Sequence, residues 1–382
     1  MSIYLDNAAT SHPKPETVYR AVDRALREIG ASPGRGGYRR GLEATHILFE
    51  TRETLAGLFG IRDSSRIAFT GNATEALNKA ILGLLWCGGH GITSSMEHNS
   101  VIRPLHLARK RGAEITRIPC DRRGFLNPRH VAAALRRDTR LIVISHCSNV
   151  TGTIQPIAEI GLLAMEAGVP FLVDAAQSAG ILPIHVEEMG IGLLACPGHK
   201  GLLGPQGTGF LYLADGITLL PILAGGTGSH SSHEEQPAEM PDLLESGTPN
   251  VPGIAGLGAG AEFIQGTGIQ VIRGKERALT DQVIEGLEKI PGVTLHGPLP
   301  GQERGGIVSF TVQGIDPSFI GFTLDREYGI DVRIGLHCSP DSHRTIGTFP
   351  VGTVRVSPGW FTTEDEIETF LRAMHVIARG KG

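Results

Sequence analysis

Short apolar runs of strand length alternate with stretches of helical periodicity over much of this chain. The runs occupy residues 67–69, 92–95, 141–145, 171–173 and 209–213. Between them, residues 74–85, 101–111 and 157–167 repeat apolar side chains at helical spacing. Strands that alternate with helices predict an α/β fold, with a mostly parallel sheet covered by helices on both faces. In such sheets ligands bind at the carboxyl ends of the strands.

Helical spacing predicts further elements on either side of this alternating region. Pro15 suits a first helical turn, and Val18, Val22 and Leu26 follow at helical spacing. The other predicted helices cover residues 42–59, 254–264 and 269–290. Residues 225–252, which are rich in Gly and Pro, are predicted to form a long loop.

A smaller alternating unit follows Pro291. Its predicted strands are residues 293–296, 307–312, 331–334 and 353–357, and its predicted helices are residues 318–328 and 363–378. A chain of 382 residues exceeds the size at which one hydrophobic core keeps growing, so a second domain is expected. We therefore predict a large domain at residues 14–255 and a small α+β domain formed by residues 1–13 and 256–382.

Charge and cysteine usage exclude several classes of protein. The chain has 35 Lys and Arg against 39 Asp and Glu, and this net charge of −4 argues against nucleic acid or a membrane surface as the main partner. No apolar run approaches the roughly 18 residues of a membrane span. The five cysteines show no CxxC pair, so we expect neither a disulfide framework nor a structural zinc site. A soluble, cytoplasmic protein is expected.

Lys200 is the first candidate for covalent chemistry. It follows the apolar run 191–195, within the sequence Cys196-Pro197-Gly198-His199-Lys200-Gly201. Burial lowers the pKa of a lysine, and a neutral amine can form an imine with a carbonyl compound. A phosphate-binding P-loop is excluded, because there the glycines precede the lysine and a Ser or Thr follows it. The alternative is a lysine in a tight turn.

Asp174 follows the apolar run 171–173 and is the second candidate. A carboxylate at the end of a buried strand needs a cation or hydrogen-bond donors. A protonated pyridine nitrogen would meet that need, and with an imine-forming lysine it defines a pyridoxal phosphate site. We expect Asp174 and Lys200 to lie at strand ends with one strand between them.

Polar residues follow the other strands. Thr74 opens a helix after Gly71-Asn72-Ala73, which suits a phosphate group, although it could be only a helix cap. His98 could stack on a planar ligand or carry protons, and its alternative is a packed histidine. Asn149 lies in a run of amides and hydroxyls that could instead form a turn. The run His230–Glu235 offers possible metal ligands but lacks a third spaced ligand, so a solvated loop is expected.

Eight motifs in chain order resemble the class V aminotransferase-like enzymes, and within them the cysteine desulfurases and selenocysteine lyases. They cover nearly the whole chain. The motifs are Tyr4-Leu5-Asp6-Asn7-Ala8-Ala9-Thr10, Gly71-Asn72-Ala73-Thr74-Glu75, Glu97-His98, Ser148-Asn149-Val150-Thr151-Gly152, Asp174-Ala175-Ala176-Gln177, Gly198-His199-Lys200, Gly247-Thr248-Pro249-Asn250 and Arg333-Ile334-Gly335-Leu336-His337-Cys338. The resemblance implies a fold type I pyridoxal phosphate-dependent transferase that forms an obligate homodimer.

The resemblance also implies roles for individual residues. Lys200 would hold the cofactor covalently, Asp174 would bind its ring nitrogen, and Gln177 its ring hydroxyl oxygen. His98 would stack on the ring and carry protons. The remaining cofactor contacts would come from Ala73, Thr74, Asn149 and His199, with Thr248 supplied by the partner subunit. The substrate would be held by Asn149, Arg333 and Arg355, and its sulfur would be taken by Cys338.

Cys338 is the residue that favours a cysteine desulfurase. A thiolate can remove sulfur from cofactor-bound cysteine as a persulfide and leave alanine. Positive groups that could favour the thiolate are Arg333, His337, His343 and Arg344. The alternative is a small buried residue before a proline turn, and such burial is expected for most of the other cysteines, which are Cys87, Cys120, Cys147 and Cys196.

Two departures from the family pattern bear on function. Pro197 stands where relatives often carry a hydroxyl, so a phosphate contact is expected to be lost or supplied by backbone. The short loop from Gly335 to Thr353 resembles desulfurases that depend on a separate sulfur-acceptor protein. Two alternatives remain open: a selenocysteine lyase or other class V aminotransferase or lyase, and a sulfur-relay or scaffold protein without turnover.

Overall fold

The computed structural model describes residues 2–34, 37–229 and 232–380. Its helices are α1 (Glu16–Arg24, extended by a π-helical segment at Ala25–Ile29), α2 (Arg39–Phe59), α3 (Ala73–Leu85), α4 (Asn99–Lys110), α5 (Pro128–Ala134), α6 (Ile157–Ala167), α7 (Val251–Thr267), α8 (Ile269–Glu288), α9 (Pro317–Tyr328), α10 (Pro340–Ile346) and α11 (Glu364–Arg379). A short 3-10 helix spans Ser64–Arg66. No helix in this part of the chain has both the length and the apolar character to cross a membrane.

The strands are β1 (Ile3–Tyr4), β2 (Ile67–Thr70), β3 (Gly89–Ser94), β4 (Ala113–Ile118), β5 (Thr139–Ser145), β6 (Phe171–Asp174), β7 (Leu193–Pro197), β8 (Gly209–Leu213), β9 (Val293–His296), β10 (Val308–Val312), β11 (Ile330–Asp331), β12 (Arg333–Gly335) and β13 (Thr353–Val356). Seven of them form a central sheet in the order β2-β8-β7-β6-β5-β3-β4. Pairing is parallel from β4 to β7, whereas β8 and β2 pair antiparallel. The predicted α/β fold with a mostly parallel sheet is therefore confirmed.

Both faces of the central sheet are buried, as the apolar strand runs predicted. Along β5, Ile142 and Ile144 pack into one hydrophobic cluster, while Leu141 and Val143 pack into another on the opposite face. Successive side chains of a strand point to opposite faces, so a strand buried on both sides needs apolar residues throughout. In such a sheet, polar side chains can cluster at the ends of the strands.

The strands that carry Asp174 and Lys200 are direct neighbours. β6 pairs with β7, with Asp174 opposite Ala195, and Lys200 lies just beyond the end of β7. The expectation of one strand between the two residues is therefore wrong. The chain between β6 and β7 forms turns without a strand, so β7 takes the adjacent position in the sheet. The acid and the amine consequently belong to adjacent strand ends.

The C-terminal part contains a second sheet and a separate core. Its strands are antiparallel in the order β12-β13-β10-β9, with a hydrophobic cluster that includes Phe310 and Phe370. The N-terminal strand β1 joins this part by pairing in parallel with β11. The division at residues 14–255 and 256–382 stays a prediction.

Two features of the strands differ from the sequence expectations. β4 was not predicted, although Ala113 and Ile118 are buried and Glu114 between them is exposed, as at the edge of a sheet. The strand predicted at residues 331–334 is two strands, because β11 pairs with β1 while β12 pairs with β13. The two strands are separate because they pair with different partner strands. A local sequence pattern does not show which partner a strand has.

Close backbone packing shapes the loop that carries Lys200. A side chain on Gly201 would overlap with the carbonyl oxygen of Ala179, and one on Gly180 would overlap with that of Gly201. Ala179 and Gly180 belong to the segment that follows β6. Glycine is therefore required where the loop after β7 passes this segment.

We expect Gly201→Ala to destabilise the protein by about 1–3 kcal/mol, because a methyl group must displace backbone rather than a flexible side chain. Gly274→Ala is the matched control, since Gly274 lies exposed within α8 with nothing within 4 Å of an added Cβ. The control should stabilise by about 0.5–1 kcal/mol. Urea denaturation measures both free energies of unfolding, and equal effects at the two sites would contradict this account.

Candidate active site

A cavity of about 260 Å³ lies at the carboxyl edge of the central sheet, between the strand ends and the C-terminal part. The structure brings almost all of the predicted site residues to its wall. These are Ala73, Thr74, His98, Asn149, Asp174, Gln177, His199, Lys200, Arg333, Cys338 and Arg355. Residues that follow β2, β3, β5, β6 and β7 meet here because these strands end at one edge of the sheet, and the C-terminal part adds Arg333, Cys338 and Arg355.

Thr248 is the predicted site residue that lies elsewhere. It lines a separate cavity of about 240 Å³, together with Gly71, Glu75 and Thr208. Gly71 belongs to the turn that leads into α3 and Glu75 to the first turn of that helix, so this second cavity lies close to the first. Its contribution to a partner subunit's site stays a prediction.

Lys200 is held by backbone contacts that leave its amine facing the cavity. Its carbonyl oxygen accepts hydrogen bonds from the Leu203 N–H at 2.8 Å and from Ser11 Oγ at 2.9 Å. Burial lowers the pKa of the amine to about 8, although the negative charge of Asp174 acts in the opposite direction. The lowered pKa predicted from the sequence is thus present, and part of the amine is neutral near pH 8.

Lys14 is a second amine beside this loop, which the sequence did not indicate. Its Nζ donates to Ser11 Oγ at 2.6 Å and to the carbonyl oxygen of His199 at 2.7 Å. Burial lowers its pKa to about 8 as well. Lys14 therefore ties the N-terminal segment to the residue that precedes Lys200.

The carboxylate of Asp174 is 4% exposed. Its Oδ1 accepts the Ala176 N–H at 2.9 Å, and Ser145 Oγ lies 3.5 Å from Oδ2. Burial raises its pKa, while the Ala176 hydrogen bond and the charge of Lys200 lower it. Within the described ranges no arginine or lysine forms an ion pair with it. A buried carboxylate in this state would accept a cation from the cavity.

Two helices begin at the cavity wall. Asn72 caps α3 by accepting the Glu75 N–H at 2.9 Å, and His98 caps α4 by accepting the Ser100 N–H at 3.1 Å. The hydroxyls of Thr74 and Ser100 meet at 2.8 Å between the two helix ends. Helix N-termini carry free N–H groups and partial positive charge, so this corner can bind a phosphate.

Ser100 is a cavity residue that the sequence reasoning missed. The signal was available, because Ser100 is in the first turn of the helix that follows His98. Pro197 also lines the cavity and contributes no side-chain donor. The hydroxyl of Ser100, at the start of α4, adds a donor to the cavity.

The cavity is lined by His98, His199 and His337, and all three are neutral at neutral pH. Burial lowers the pKa values of His98 and His199 to about 4, and the charge of Lys200 acts in the same direction. Nδ1 of His98 accepts the Ser100 N–H, so in the neutral ring the proton lies on Nε2. Nδ1 of His199 is buried and has no hydrogen-bond partner among the described residues. It is thus available to a ligand.

Arg355 is 2% exposed and is held by Asp6. Its Nη2 donates to Asp6 Oδ1 at 2.6 Å, and its Nη1 donates to the carbonyl oxygen of Asn149 at 3.0 Å. Arg333 lies 3.6 Å from the other oxygen of Asp6. Nε of Arg355 is buried without a partner in the described part of the chain, which leaves an N–H for a carboxylate. Asp6, whose role the sequence did not reveal, orients both arginines.

Cys338 lies in a strained turn. His337 and Cys338 have positive φ angles of 47° and 59°, and the Ser339 N–H donates to the Leu336 carbonyl at 2.8 Å. Left-handed backbone costs a non-glycine residue about 1–2 kcal/mol. The carbonyl of Cys338 is held by the Asn99 N–H at 2.9 Å, at the start of α4.

Asn149 clamps this turn with its side chain. Its Nδ2 donates to the His337 carbonyl at 2.7 Å, and its Oδ1 accepts from Ser339 Oγ at 2.8 Å. The sequence predicted Asn149 beside the ring and substrate. It does line the cavity, but its amide is engaged by the Cys338 turn.

The electrostatic surroundings of Cys338 differ from expectation. Burial lowers the pKa of His337 to about 2 and that of His343 to about 4, so neither is charged at neutral pH. Arg344 pairs with Asp341 at 3.1 Å and packs over Phe349. The histidines therefore do not supply the expected positive charge.

Cys338 is exposed, which contradicts the alternative of a buried structural residue. Cys147 and Cys196 are buried as expected, and burial raises the pKa of Cys147, which also lines the cavity, to about 12. Cys120 is partly buried, whereas Cys87 is exposed, contrary to expectation. The described residues contain no cluster that could hold a metal, and His230 and Ser231 of the His230–Glu235 run lie outside them.

Known proteins match this chain over nearly its whole length. The sequence model of the family described as aminotransferase class-V matches residues 3–370. A probable cysteine desulfurase of Methanothermobacter thermautotrophicus is 36% identical, over 98% of this chain and 94% of that protein. The cysteine desulfurase IscS of Dictyoglomus turgidum is 34% identical, over 98% of this chain and 94% of its own length.

A solved structure resembles the whole fold. The apo structure of a cysteine desulfurase from Thermococcus onnurineus superposes with a TM-score of 0.92 at 34% identity, over 99% of this chain and 95% of that one. The predicted fold type I architecture is therefore confirmed. The chain belongs to the class V aminotransferase family and, within it, to the cysteine desulfurases.

Proposed function

We propose that this protein is a pyridoxal phosphate-dependent cysteine desulfurase, which converts L-cysteine to L-alanine and keeps the sulfur as a persulfide on Cys338. One observation carries the proposal: a single cavity contains the amine of Lys200, the unpaired carboxylate of Asp174 and the thiol of Cys338. The class V aminotransferases and the cysteine desulfurases are pyridoxal phosphate-dependent families, which supports the same conclusion.

The polar groups of the cavity fit this cofactor. Asp174 is a buried carboxylate without an ion pair among the described residues, as a protonated ring nitrogen requires. Lys200 has an amine whose pKa is lowered to about 8, as covalent attachment requires. The free Nδ1 of His199 and the hydroxyls of Thr74 and Ser100 would hold the phosphate.

Further residues would complete the cofactor site. Gln177 would contact the ring hydroxyl oxygen, and its Nε2 is steadied by the Ala8 carbonyl at 2.9 Å. The ring of His98 would stack on the cofactor, and Ala73 would offer its backbone N–H at the start of α3. Thr248 would reach the phosphate from the partner subunit of a homodimer.

The substrate would be oriented by its carboxylate. Arg355 offers the unpaired Nε–H, and Arg333 adds a second positive charge, while Asp6 keeps both guanidinium groups in place. When bound, the cofactor supplies an electron sink that stabilises negative charge at the substrate's α-carbon. Lys200 Nζ would take up the α-proton, because its amine is partly neutral near pH 8.

Cys338 would take the sulfur. Its thiolate attacks the sulfur of the substrate, so that an S–S bond forms and the substrate's Cβ–S bond breaks. Two protons would then return to the substrate, the one taken up by Lys200 to the α-carbon and the one released by the Cys338 thiol to the β-carbon, and alanine would leave. In sum, L-cysteine and the Cys338 thiol become L-alanine and the Cys338 persulfide. The exposed position of Cys338, in a tight turn at the wall of the cavity, suits this transfer.

Loading of the cofactor should depend on the ionisation of Lys200. Because burial lowers the pKa of Lys200 to about 8, the neutral amine increases with pH through 8 and reaches its maximum about one pH unit higher. The initial rate at which apo-protein gains visible absorbance with pyridoxal phosphate should follow that curve. A lysine with the ordinary pKa of 10.5 would give a rate that continues to rise beyond pH 10, which would refute the assignment.

Two variants control this measurement. Lys200→Ala should lose the visible absorbance entirely. Lys14→Ala removes a second lysine amine whose pKa burial lowers to about 8, and this variant should keep both the absorbance and its pH profile. If Lys14→Ala abolished the profile instead, the reactive amine would have been misassigned.

Desulfuration should be separable from cofactor binding. Cys338→Ala should lower alanine formation from L-cysteine by more than about 10³-fold, because the attacking group is lost, while the visible absorbance remains. Cys87→Ala, which removes the other exposed thiol, should leave alanine formation unchanged. Alanine is quantified after incubation with L-cysteine and, in parallel, with L-selenocysteine. Alanine from neither substrate in the wild-type protein would refute both the desulfurase and the selenocysteine lyase.

Turnover should depend on a sulfur acceptor. The Cys338 turn is clamped by Asn149 and by the Asn99 N–H, so the persulfide cannot travel far from the cavity. An ordered turn costs little entropy but has a short reach. We therefore expect slow turnover by the protein alone and faster turnover when an acceptor protein removes the persulfide. Equal rates of alanine formation with and without every acceptor tried would contradict this expectation.

A further inference from the structure

Glu97 is a buried acid that the proposed reaction does not use. It lies between β3 and α4, next to His98, and is 1% exposed. Its Oε1 accepts from Ser94 Oγ at 2.6 Å, and its Oε2 accepts from the Ser145 N–H at 3.0 Å and from Ser145 Oγ at 2.6 Å. No arginine or lysine of the described ranges pairs with it. Burying a carboxylate without a cation costs several kcal/mol, so hydrogen bonds alone hold this acid in place.

Ser145 connects Glu97 to Asp174. Ser145 ends β5, next to Asp174 at the end of β6, and the two residues are register partners. The hydroxyl lies 2.6 Å from Glu97 Oε2 and 3.5 Å from Asp174 Oδ2. A serine hydroxyl has one hydrogen to donate, and the shorter contact assigns it to Glu97. Asp174 Oδ2 is thereby left without a close donor.

We propose that Glu97 is a positioning residue, which acts through Ser145 to keep Asp174 Oδ2 free for the ring nitrogen of the cofactor and to raise the affinity of Asp174 for that cation. The inference rests on the proposed pyridoxal phosphate site. Two effects of Glu97 act in the same direction. It draws the Ser145 hydrogen away from Asp174, and its negative charge behind Asp174 favours a proton or a cation in the cavity.

The ionisation of Glu97 agrees with this role. Burial raises its pKa to about 7, the charge of Asp174 adds to that effect, and the hydrogen bonds from Ser145 and Ser94 oppose it. Above about pH 8 the carboxylate form therefore predominates. The other titratable group that faces Glu97 is Cys120, whose pKa burial raises to about 11, so Cys120 stays neutral there.

The test measures protonation of the cofactor itself. Protein loaded with pyridoxal phosphate that carries ¹⁵N in its ring is titrated with base, and the ¹⁵N chemical shift reports the ring proton. Glu97→Gln keeps the side-chain volume and an acceptor for Ser145 but removes the charge. We expect the proton affinity of the ring nitrogen to fall about tenfold in this variant. Glu97→Ala, which also frees the Ser145 hydrogen for Asp174, should lower it further.

Glu276→Gln is the matched control, since Glu276 is 7% exposed on α8 and its pKa is raised by burial to about 8. It should leave the ring-nitrogen titration at the wild-type position. A titration that is unchanged in Glu97→Gln, or shifted equally in Glu276→Gln, would overturn the inference. If Glu97→Ala fails to fold, judged by its thermal unfolding, Glu97→Gln still decides. Wild-type protein that fails to bind pyridoxal phosphate would refute the proposed function instead.

Discussion

The buried carboxylate of Asp174 is the interaction on which the rest of the site depends. It ends a strand that is apolar on both faces and is 4% exposed, so its charge is largely desolvated and has no ion pair among the described residues to offset it. Burial would drive this acid toward its neutral form unless a cation enters the cavity. The pKa of the nearby Lys200 amine is also set by burial and by charge, because desolvation lowers it while the negative charge of Asp174 raises it. The ionisation of Asp174 and that of Lys200 therefore depend on each other.

The contacts around these two groups join distant parts of the chain. Asp6, from the N-terminal segment, holds Arg355 and Arg333 of the C-terminal sheet, and the backbone beside Asp6 bridges to Ser357. Asn149, from the end of the central sheet, clamps the turn that carries Cys338. The cavity therefore forms only when the two sheets and the N-terminal segment are assembled together. The order of the site therefore depends on the contacts between the two sheets and the N-terminal segment.

Strain and buried charge are concentrated at this junction. The left-handed residues His337 and Cys338 and the unpaired acids Asp174 and Glu97 would each destabilise an ordinary loop or core. Their cost is offset by the two large hydrophobic clusters that cover the central sheet. The proposed chemistry uses the same features, since sulfur removal requires an exposed Cys338 and a buried Asp174 that can bind a cation.

The sequence by itself determined the α/β class, the candidate lysine, acid and cysteine, and the eight motifs that resemble the family, because periodicity and short motifs are local properties. Only the tertiary structure decided that β6 and β7 are neighbours, that residues 331–334 split between two sheets, and that Asp6 and Glu97 belong to the site. It also decided that His337 and His343 are neutral, since a pKa depends on burial. Partner strands, burial and long-range hydrogen bonds are set by the folded chain, and no local pattern encodes them.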